Sequence, residues 1–325
     1  MSETILEVED LKTWFLTTRG VIKAVDGLSF TLKKGQILGI VGESGSGKSV
    51  TSLSILRLLP QPAGRIMGGR ILYRGEDLVL KSQKDMRRYR GNHLFMISQN
   101  PMTSLNPVYT IKNQLAEALK NGPRPGRAGL TRAIIDMLKQ VHIRDSENRF
   151  NFYPHQFSGG MRQRVMIAMA LASRPEILIA DEPTTALDVT IQAQILNLML
   201  EVRRTYDMSI IMITHDLGVV ANFCEYVLVM YAGKMFERAD VRTLFREHRH
   251  PYTRGLIKSL PQLGRKQPRL PAIKGQPPDM LFLGDGCPFE PRCEYATARC
   301  AERFPEAEQV GPDHAVACWN WRDVS

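Results

Sequence analysis

Apolar and polar residues alternate along two N-terminal segments, residues 5–11 and residues 21–32. A period of two is typical of strands that bury only one face, so we expect both segments to belong to an antiparallel sheet. Residues 69–75 have the character of a further strand. The first part of the chain is therefore predicted to contain a small sheet of paired strands.

Continuous apolar runs take the place of this alternation elsewhere in the chain. They occupy residues 37–41, 94–97, 177–180 and 209–213. Such runs are typical of parallel strands that helices cover on both faces. An amphipathic helix is predicted at residues 189–204, between the last two runs, and this order of strands and helices predicts an α/β fold.

Two further features divide the chain into domains. Residues from about 100 to 173 are predicted to form a mostly helical subdomain, interrupted at residues 121–128 by a linker rich in Gly, Pro and Arg. Near the C-terminus proline becomes frequent, and four of the five cysteines occur there. We therefore expect one domain over residues 1–260 and a Cys-rich C-terminal extension over residues 261–325.

The bulk composition is that of a globular protein. Of the 325 residues, 43% are hydrophobic and 23% are charged, which is ordinary for this class. The N-terminus is acidic and lacks the apolar core of a secretory signal. The longest strongly apolar stretch, residues 165–172, is far shorter than the ~20 residues of a membrane span. We therefore expect a protein of the cytosol or of a cytosolic surface.

The net charge of +10 leaves two kinds of partner open, because a basic surface attracts both nucleic acid and anionic lipid. The densest basic run lies at residues 81–90. Such a run is more often a solvated helix face than a binding patch. Its single aromatic residue, Tyr89, is too little for a surface on which successive bases stack. The charge alone therefore does not indicate nucleic-acid binding.

A glycine-rich loop directly follows the apolar run at residues 37–41. Residues 42–49 read Gly-Glu-Ser-Gly-Ser-Gly-Lys-Ser, which is the pattern of a P-loop between a strand and a helix. Backbone N–H groups of such a loop converge on phosphates, and glycine permits the close approach. The positions expected to bind a nucleoside triphosphate are Gly42, Ser44, Gly45, Ser46, Gly47, Lys48 and Ser49.

Two of these side chains have specific expected roles. Lys48 reaches the terminal phosphates in a P-loop, and the Ser49 hydroxyl ligates Mg²⁺. The helix that follows, predicted through residue 58, adds the positive end of its dipole.

Two acidic residues end the apolar run at residues 177–180. Asp181 suits a Mg²⁺ ligand that acts through water, and Glu182 suits a general base that polarises the attacking water. Acidic residues at the end of a strand are often only solvated. In a chain that also has a P-loop, however, such a pair indicates a site of nucleotide hydrolysis. A further segment, residues 158–160, is predicted to begin a long helix with Ser158 as its N-cap.

Together these motifs resemble the ATP-binding cassette (ABC) family, over about residues 5–260. In that family a P-loop, a glutamine loop, a signature sequence, two acids, a D-loop and a switch histidine follow one another. This chain supplies them in the same order, as residues 42–49, Gln99, residues 158–160, Asp181 with Glu182, residues 186–188 and His215. The resemblance implies a RecA-like parallel sheet core, an antiparallel β subdomain and a helical signature subdomain.

The resemblance also implies that two cassettes enclose two ATP molecules. Lys48 and Ser49 would hold one ATP, while the signature residues would cover the ATP of the partner cassette; these are Ser158, Gly159 and Gly160. Asp188, in the D-loop, counts among the nucleotide-binding residues. The reaction is phosphoryl transfer to water, in which positioning and charge stabilisation supply most of the catalysis.

The remaining roles implied by the resemblance concern single residues. Gln99 would contact Mg²⁺ or the attacking water and sense a membrane partner, Glu182 would activate the water, and His215 would contact the γ-phosphate. Phe15 matches the aromatic residue that stacks on adenine, although a core phenylalanine is a comparable interpretation.

Three segments indicate a branch of the family. Residues 99–107, 188–194 and 250–253 resemble ATPases of oligopeptide, dipeptide and nickel importers. This implies an ATP-hydrolysing subunit of a peptide importer, bound peripherally at the cytoplasmic face of the inner membrane. The implied partners are a second, related ABC ATPase, two transmembrane permease subunits and, indirectly, an extracytoplasmic substrate-binding protein, with no nucleic acid.

Two alternatives remain open for the function. One is an importer of nickel or another small solute. The other is a soluble ABC ATPase of translation or repair, a class that usually carries two cassettes in one chain or a long coiled-coil insertion. This sequence contains neither of those features.

The C-terminal cysteines form a candidate metal site: Cys287, Cys293, Cys300 and Cys318. Disulfides are rare in the cytosol, and structural zinc usually takes cysteine pairs two to four residues apart, which are missing here. Irregular spacing favours a 4Fe–4S cluster, with zinc and unliganded thiols as the alternatives. The Cys-rich tail of similar peptide-importer ATPases adds to this interpretation. Cys224 stands apart and is expected to be a core thiol.

Overall fold

The computed structural model describes residues 3–99, 104–120, 126, 129–185, 187–260 and 271–324. The chain divides into two compact units. Unit 1 comprises Met1–Lys33, Ile37–Leu80 and Ile213–Ser325, and unit 2 comprises Lys34–Gln36 and Lys81–Met212.

Strands occur throughout the described residues, from Thr4 to Val316. In chain order they are β1 (Thr4–Thr17), β2 (Gly20–Lys33), β3 (Ile37–Val41), β4 (Gly64–Tyr73), β5 (Glu76–Asp77), β6 (Leu94–Ile97), β7 (Ile177–Asp181), β8 (Ser209–Thr214), β9 (Tyr226–Tyr231), β10 (Lys234–Asp240), β11 (Glu308–Gly311) and β12 (His314–Val316).

Helices of varied length connect these strands. Within the same residues they are α1 (Lys48–Ile55), α2 (Gln83–Tyr89), α3 (Ile111–Ala118), α4 (Leu130–Gln140), α5 (Ser146–Arg149), α6 (Gly159–Ser173), α7 (Val189–Tyr206), α8 (Leu217–Phe223), α9 (Val241–Glu247), α10 (Pro251–Lys258) and α11 (Ala298–Glu302). Each helix in the described part of the chain is too short or too polar to cross a membrane.

Unit 1 contains the predicted antiparallel sheet. Its strands lie in the order β2-β1-β4-β5, and β1 is antiparallel to both β2 and β4. The alternating pattern explains the pairing, because Leu28, Phe30 and Leu32 are buried while the residues between them are exposed. The prediction made from a period of two is therefore confirmed.

A second group of strands in unit 1 lies in the order β11-β12-β10-β9-β3. Strand β3 is buried along its whole length and runs parallel to β9, as its continuous apolar run predicted. Strand β10 is antiparallel to β9 and to β12. Strands from near the C-terminus thus extend the same group that contains β3.

Unit 2 combines parallel strands with helices. Its strands lie in the order β8-β7-β6, and β6 pairs in parallel with β7. Helix α6 has buried residues along most of its length, because it packs against α3, α4 and α7. The predicted α/β fold is confirmed, whereas the predicted linker at residues 121–128 lies outside the described residues except for Gly126.

Several boundaries differ from their predictions. Strand β1 continues to Thr17 rather than residue 11, β4 covers Gly64–Tyr73 rather than residues 69–75, and α7 ends at Tyr206 rather than residue 204. Helix α1 was expected to continue through residue 58, but it ends at Ile55. Arg57 adopts a left-handed backbone with φ of 53°, and the Leu58 N–H donates to the carbonyl of Leu53 at 2.8 Å. The helix therefore ends at this turn, although the sequence stays apolar beyond it. Because the prediction relied on the apolar pattern, it placed the end of the helix three residues too late.

Candidate functional site

The glycine-rich loop of unit 1 begins where the buried strand β3 ends, and it passes so close to its neighbours that two positions exclude side chains. A Cβ on Gly42 would lie 2.1 Å from the carbonyl oxygen of Met230. Gly47 has φ of 99°, and its Cβ would lie 2.3 Å from the carbonyl oxygen of Ala24. Only glycine fits these contacts with β9 and β2, so the path of the loop is fixed by its surroundings.

The Lys48 side chain lies inside the turn of this loop and is 5% exposed. Its ammonium donates hydrogen bonds to the carbonyl oxygens of Gly42 at 2.7 Å and Glu43 at 2.8 Å, and to the Ser46 hydroxyl at 3.3 Å. The loop thereby holds a positive charge at the start of α1. Such a cup suits an anion of several charges, as a triphosphate is.

On the side of the loop away from Lys48, hydrogen bonds with two C-terminal residues fix Glu43 in place. The N–H of Glu43 donates to the Tyr252 hydroxyl at 2.9 Å, and its carboxylate receives two hydrogen bonds from Arg292, at 2.8 and 3.2 Å. Arg292 was not singled out by the motifs, and Tyr252 was noted only as part of the segment at residues 250–253. The sequence marked Arg292 only by its position directly before Cys293, one of the four clustered cysteines.

Two further predicted residues of unit 1 are Phe15 and His215. Phe15 lies in β1 opposite Ile22 and Gly64, and its side chain is half-buried. Part of the side chain packs against the sheet, and the rest stays accessible to a ligand. His215 follows β8 and is exposed, while the next residue, Asp216, caps α8 by accepting from the Gly218 N–H at 2.7 Å. The histidine is thus held between a buried strand and a capped helix.

Unit 2 brings Gln99 and Glu182 together. The Gln99 amide donates to Oε2 of Glu182 at 3.0 Å, and the Thr185 hydroxyl donates to the same oxygen at 2.9 Å. Asp181, the last residue of β7, is 4% exposed. Glu182 has φ of 47°, a backbone conformation that is uncommon for a residue with a side chain. The carboxylate is therefore held in a fixed direction just beyond the strand.

The signature segment of unit 2 forms the start of α6. Ser158 is the N-cap, and its hydroxyl accepts from the Met161 N–H at 3.4 Å, as predicted. Ser158 and Gly159 are exposed, so the first N–H groups of a 15-residue helix are presented outward. A Cβ on Gly160 would lie 2.8 Å from the Ile191 side chain, so α6 and α7 approach closely at this point.

Leu187 and Asp188 of the D-loop lie beside this segment in unit 2, while Ala186 lies outside the described residues. The nearest neighbour of a Cβ on Gly159 would be the Leu187 side chain, at 3.7 Å. The Asp188 carboxylate accepts from the Ile191 N–H at 2.9 Å and so acts as the N-cap of α7. Sequence reasoning assigned Asp188 to nucleotide binding and missed this capping contact.

The four C-terminal cysteines line one small cavity of unit 1, with a volume of about 20 Å³. Burial raises the pKa of the Cys287 and Cys318 thiols to about 12, and it raises the pKa of Cys293 as well. All four are free thiols. Among the described residues, however, three or more His, Cys, Asp or Glu side chains are nowhere arranged so that they could hold a metal ion.

Cys224 is separate from this cavity. It is buried, and burial raises the pKa of its thiol. Its sulfur lies 2.9 Å from the place where a Cβ on Gly39 would be. The expectation of a core thiol is confirmed.

Comparisons with known proteins agree with this geometry. A family model described as "ABC transporter" matches residues 25–185, and one described as "Oligopeptide/dipeptide transporter, C-terminal region" matches residues 236–300. Among solved structures, the dimeric MJ0796, a bacterial ABC transporter cassette, is 25% identical with a TM-score of 0.64, over 73% of this chain and 99% of that chain.

Curated relatives match almost the whole chain. A probable peptide ABC transporter ATP-binding protein of Sinorhizobium fredii, y4tR, is 50% identical over 99% of this chain and 97% of its own length. The dipeptide transport ATP-binding protein DppD of Bacillus subtilis is 49% identical over 98% of this chain and 95% of its own length. The chain belongs to the ABC transporter family, in the branch of ATP-binding proteins of oligopeptide and dipeptide transporters.

Proposed function

We propose that this chain is the ATPase subunit that drives the import of oligopeptides or dipeptides through separate transmembrane subunits. The observation that carries this proposal is the P-loop of unit 1, with its buried Lys48 ammonium, in a chain 50% identical to a peptide transporter ATP-binding protein over 99% of its length. The C-terminal match at residues 236–300 supports peptides over nickel. The names of the relatives disfavour a nucleic-acid-linked ATPase.

In this proposal the phosphates of ATP lie in the P-loop. Lys48 places its ammonium against them, and the loop N–H groups from Gly42 to Ser49 add hydrogen bonds. Phe15 stacks on adenine, and His215 contacts the γ-phosphate. The histidine is exposed at the end of β8, where a ligand can reach it.

Mg²⁺ neutralises part of the phosphate charge when it is bound. The oxygen donors that this chain offers are those that Mg²⁺ prefers. They are the Ser49 hydroxyl in unit 1, and the Asp181 carboxylate and the Gln99 amide oxygen in unit 2.

Glu182 is the proposed general base. Its carboxylate is oriented by the Gln99 amide and the Thr185 hydroxyl, which leaves a defined direction for accepting a proton from water. A positioned carboxylate of this kind contributes about 10²–10⁴-fold to such a reaction. Gln99 contacts the same carboxylate and so is well placed to report the position of a membrane subunit to it.

The partners follow from the exposed signature segment. We propose that Ser158, Gly159 and Gly160 cover the ATP of a second, related ABC ATPase, with Asp188 beside them. Two permease subunits and an extracytoplasmic binding protein complete the assembly, which places this chain peripherally at the cytoplasmic face of the inner membrane.

We also propose that residues 1–260 form the cassette and residues 261–325 a Cys-rich extension that holds a 4Fe–4S cluster. The donor set fits, because four thiols line one cavity of unit 1. Among the described residues no group of three or more His, Cys, Asp or Glu side chains is arranged to hold a metal ion, so the proposal rests on the number and spacing of the thiols, and zinc stays the alternative. The cluster would cross-link the extension; iron and sulfide analysis of anaerobically purified protein tests it, and colourless protein with stoichiometric zinc would contradict it.

The transport proposal is tested by uptake. A strain that lacks this chain is complemented with the wild-type chain or with Lys48→Ala, and the uptake of a labelled dipeptide, a labelled oligopeptide and nickel is measured at matched expression. We expect the wild-type chain alone to restore peptide uptake. Restoration of nickel uptake only, or full peptide uptake with Lys48→Ala, would contradict the proposal.

A further inference from the structure

Arg292 belongs to the C-terminal segment but contacts the phosphate-binding loop. It is the last residue of a short 3₁₀ helix, Glu290–Arg292, and directly precedes Cys293. One terminal nitrogen lies 2.8 Å from Oε2 of Glu43, and the other lies 3.2 Å from Oε1. The two side chains are 6% and 24% exposed, so this two-pronged ion pair is largely shielded from water.

The guanidinium is held in place by several groups besides Glu43. Its Nε donates to the carbonyl oxygen of Lys274 at 2.9 Å, and a terminal nitrogen donates to the Tyr231 hydroxyl at 2.9 Å. The rings of Tyr231 and Phe289 lie beside it, each with its centroid 5.7 Å from the guanidinium carbon. Arg292 is therefore preorganised, and little rotamer freedom is lost when Glu43 binds it.

Glu43, in turn, is fixed at each of its polar groups. Its N–H donates to the Tyr252 hydroxyl, its carbonyl accepts from the Lys48 ammonium, and its carboxylate is bound by Arg292. The peptide that contacts Lys48 is thus oriented from the outside by Tyr252 and Arg292. Both outer residues lie within the C-terminal family match at residues 236–300, and neither lies within the ABC match at residues 25–185.

The charge of Glu43 makes this contact important for an anionic ligand. A carboxylate in a loop that binds a triphosphate repels that ligand, and the repulsion is strong where water is excluded. Arg292 supplies the compensating positive charge. Building on the proposed function, we propose that Arg292 is a positioning residue for ATP binding, which neutralises Glu43 and fixes the loop around Lys48.

A double-mutant cycle on the full chain separates charge compensation from simple packing. The dissociation constant for Mg·ATP is measured for wild type, Arg292→Ala, Glu43→Gln and the double variant, with thermal unfolding recorded for each. We expect Arg292→Ala to weaken binding about tenfold, since it leaves the carboxylate unpaired. Glu43→Gln alone changes binding less than about threefold, and adding it to Arg292→Ala restores binding to that level.

Arg254→Ala is the matched control. Arg254 is an arginine of the same region, but it donates to the Tyr295 hydroxyl rather than to the loop. We expect its removal to leave Mg·ATP affinity unchanged.

Two results would overturn this inference. One is an unchanged affinity in folded Arg292→Ala. The other is a weakened affinity that Glu43→Gln does not restore, which would assign the arginine to packing alone. A wild-type chain with no affinity for Mg·ATP would instead contradict the proposed function, so the two failures are distinguishable.

Discussion

The carboxylate of Glu182 illustrates how single residues are prepared for chemistry. It accepts hydrogen bonds from Gln99 and Thr185, and its own backbone has φ of 47°. Such a conformation costs about 1–3 kcal/mol for a residue with a side chain and persists where its surroundings enforce it. The strained backbone of Glu182 lowers stability but orients its carboxylate, as expected of a residue selected for its role in the reaction.

Replacing Glu182 by Gln tests the proposed base. The amide retains the shape of the side chain but cannot accept a proton, so we expect kcat for ATP hydrolysis to fall about 10²–10⁴-fold. ATP binding should persist, and both are measured on the assembled ATPase pair. Thr185→Val serves as the control, because it removes one hydrogen bond to the same oxygen and leaves the base. Wild-type hydrolysis by Glu182→Gln would reject this assignment.

The two glycines Gly45 and Gly47 allow conformation and close approach to be separated. Both have positive φ, but a Cβ on Gly45 would meet nothing within 4 Å, whereas one on Gly47 would lie 2.3 Å from a backbone oxygen. We expect Gly45→Ala to lower the free energy of unfolding by about 1 kcal/mol and Gly47→Ala by more than about 3 kcal/mol. Denaturant unfolding without nucleotide measures both, and equal losses would contradict the close-contact argument.

At the scale of elements, caps and strand ends position the site. Ser158 begins α6, Asp188 begins α7 and Asp216 begins α8, each through a side-chain oxygen that accepts a backbone N–H. Each cap satisfies a backbone N–H group that the helix itself leaves without a partner, and so favours a helix start at that residue. The signature, the D-loop and the segment after β8 are therefore held in place by the same local device.

Asp188 combines this structural role with its predicted nucleotide role. Asp188→Ala removes the cap of α7 and is expected to lower the free energy of unfolding by about 1 kcal/mol. Asp188→Asn keeps an acceptor at the same place, so stability should remain within about 0.5 kcal/mol while ATP hydrolysis falls. Chemical denaturation and steady-state hydrolysis provide the two readouts. Unchanged hydrolysis in Asp188→Asn would limit the residue to capping.

The sequence predicted elements where burial is continuous or alternates regularly. Strands β3, β6, β7 and β8 match their apolar runs within a residue, because β3, β7 and β8 are buried along their whole length and β6 is buried at both ends. The end of α1 was misplaced, since the turn at Arg57 depends on backbone conformation rather than on polarity. The contact between Arg292 and Glu43 could not be predicted from the sequence, because local patterns carry no information about residues 249 positions apart.

At the scale of the whole molecule, the C-terminal segment is part of unit 1 through buried polar contacts. Glu237 is fully buried in β10 and accepts from the N–H groups of Arg249 and His250. The His314 imidazole of β12 lies 2.8 Å from the same carboxylate. A buried carboxylate needs all such partners, so the segment contributes to the stability of the unit that carries the P-loop.

His314→Ala should therefore be costly. It removes a partner from a buried carboxylate, and we expect a loss of about 3 kcal/mol in the free energy of unfolding. The control is Arg322→Ala, which breaks an ion pair with Glu308 whose side chains are 71% and 52% exposed; it should cost less than about 1 kcal/mol. Equal stabilities of the two variants would show that the segment is dispensable to unit 1.

During synthesis, Glu43 leaves the ribosome long before Arg292 is translated, because 249 positions separate them. At about 5–20 residues per second, this delay is on the order of tens of seconds. Throughout that interval the nascent loop carries an uncompensated carboxylate. If Arg292 has the role proposed above, the nascent chain reaches full nucleotide affinity only after Arg292 has been translated and has paired with Glu43.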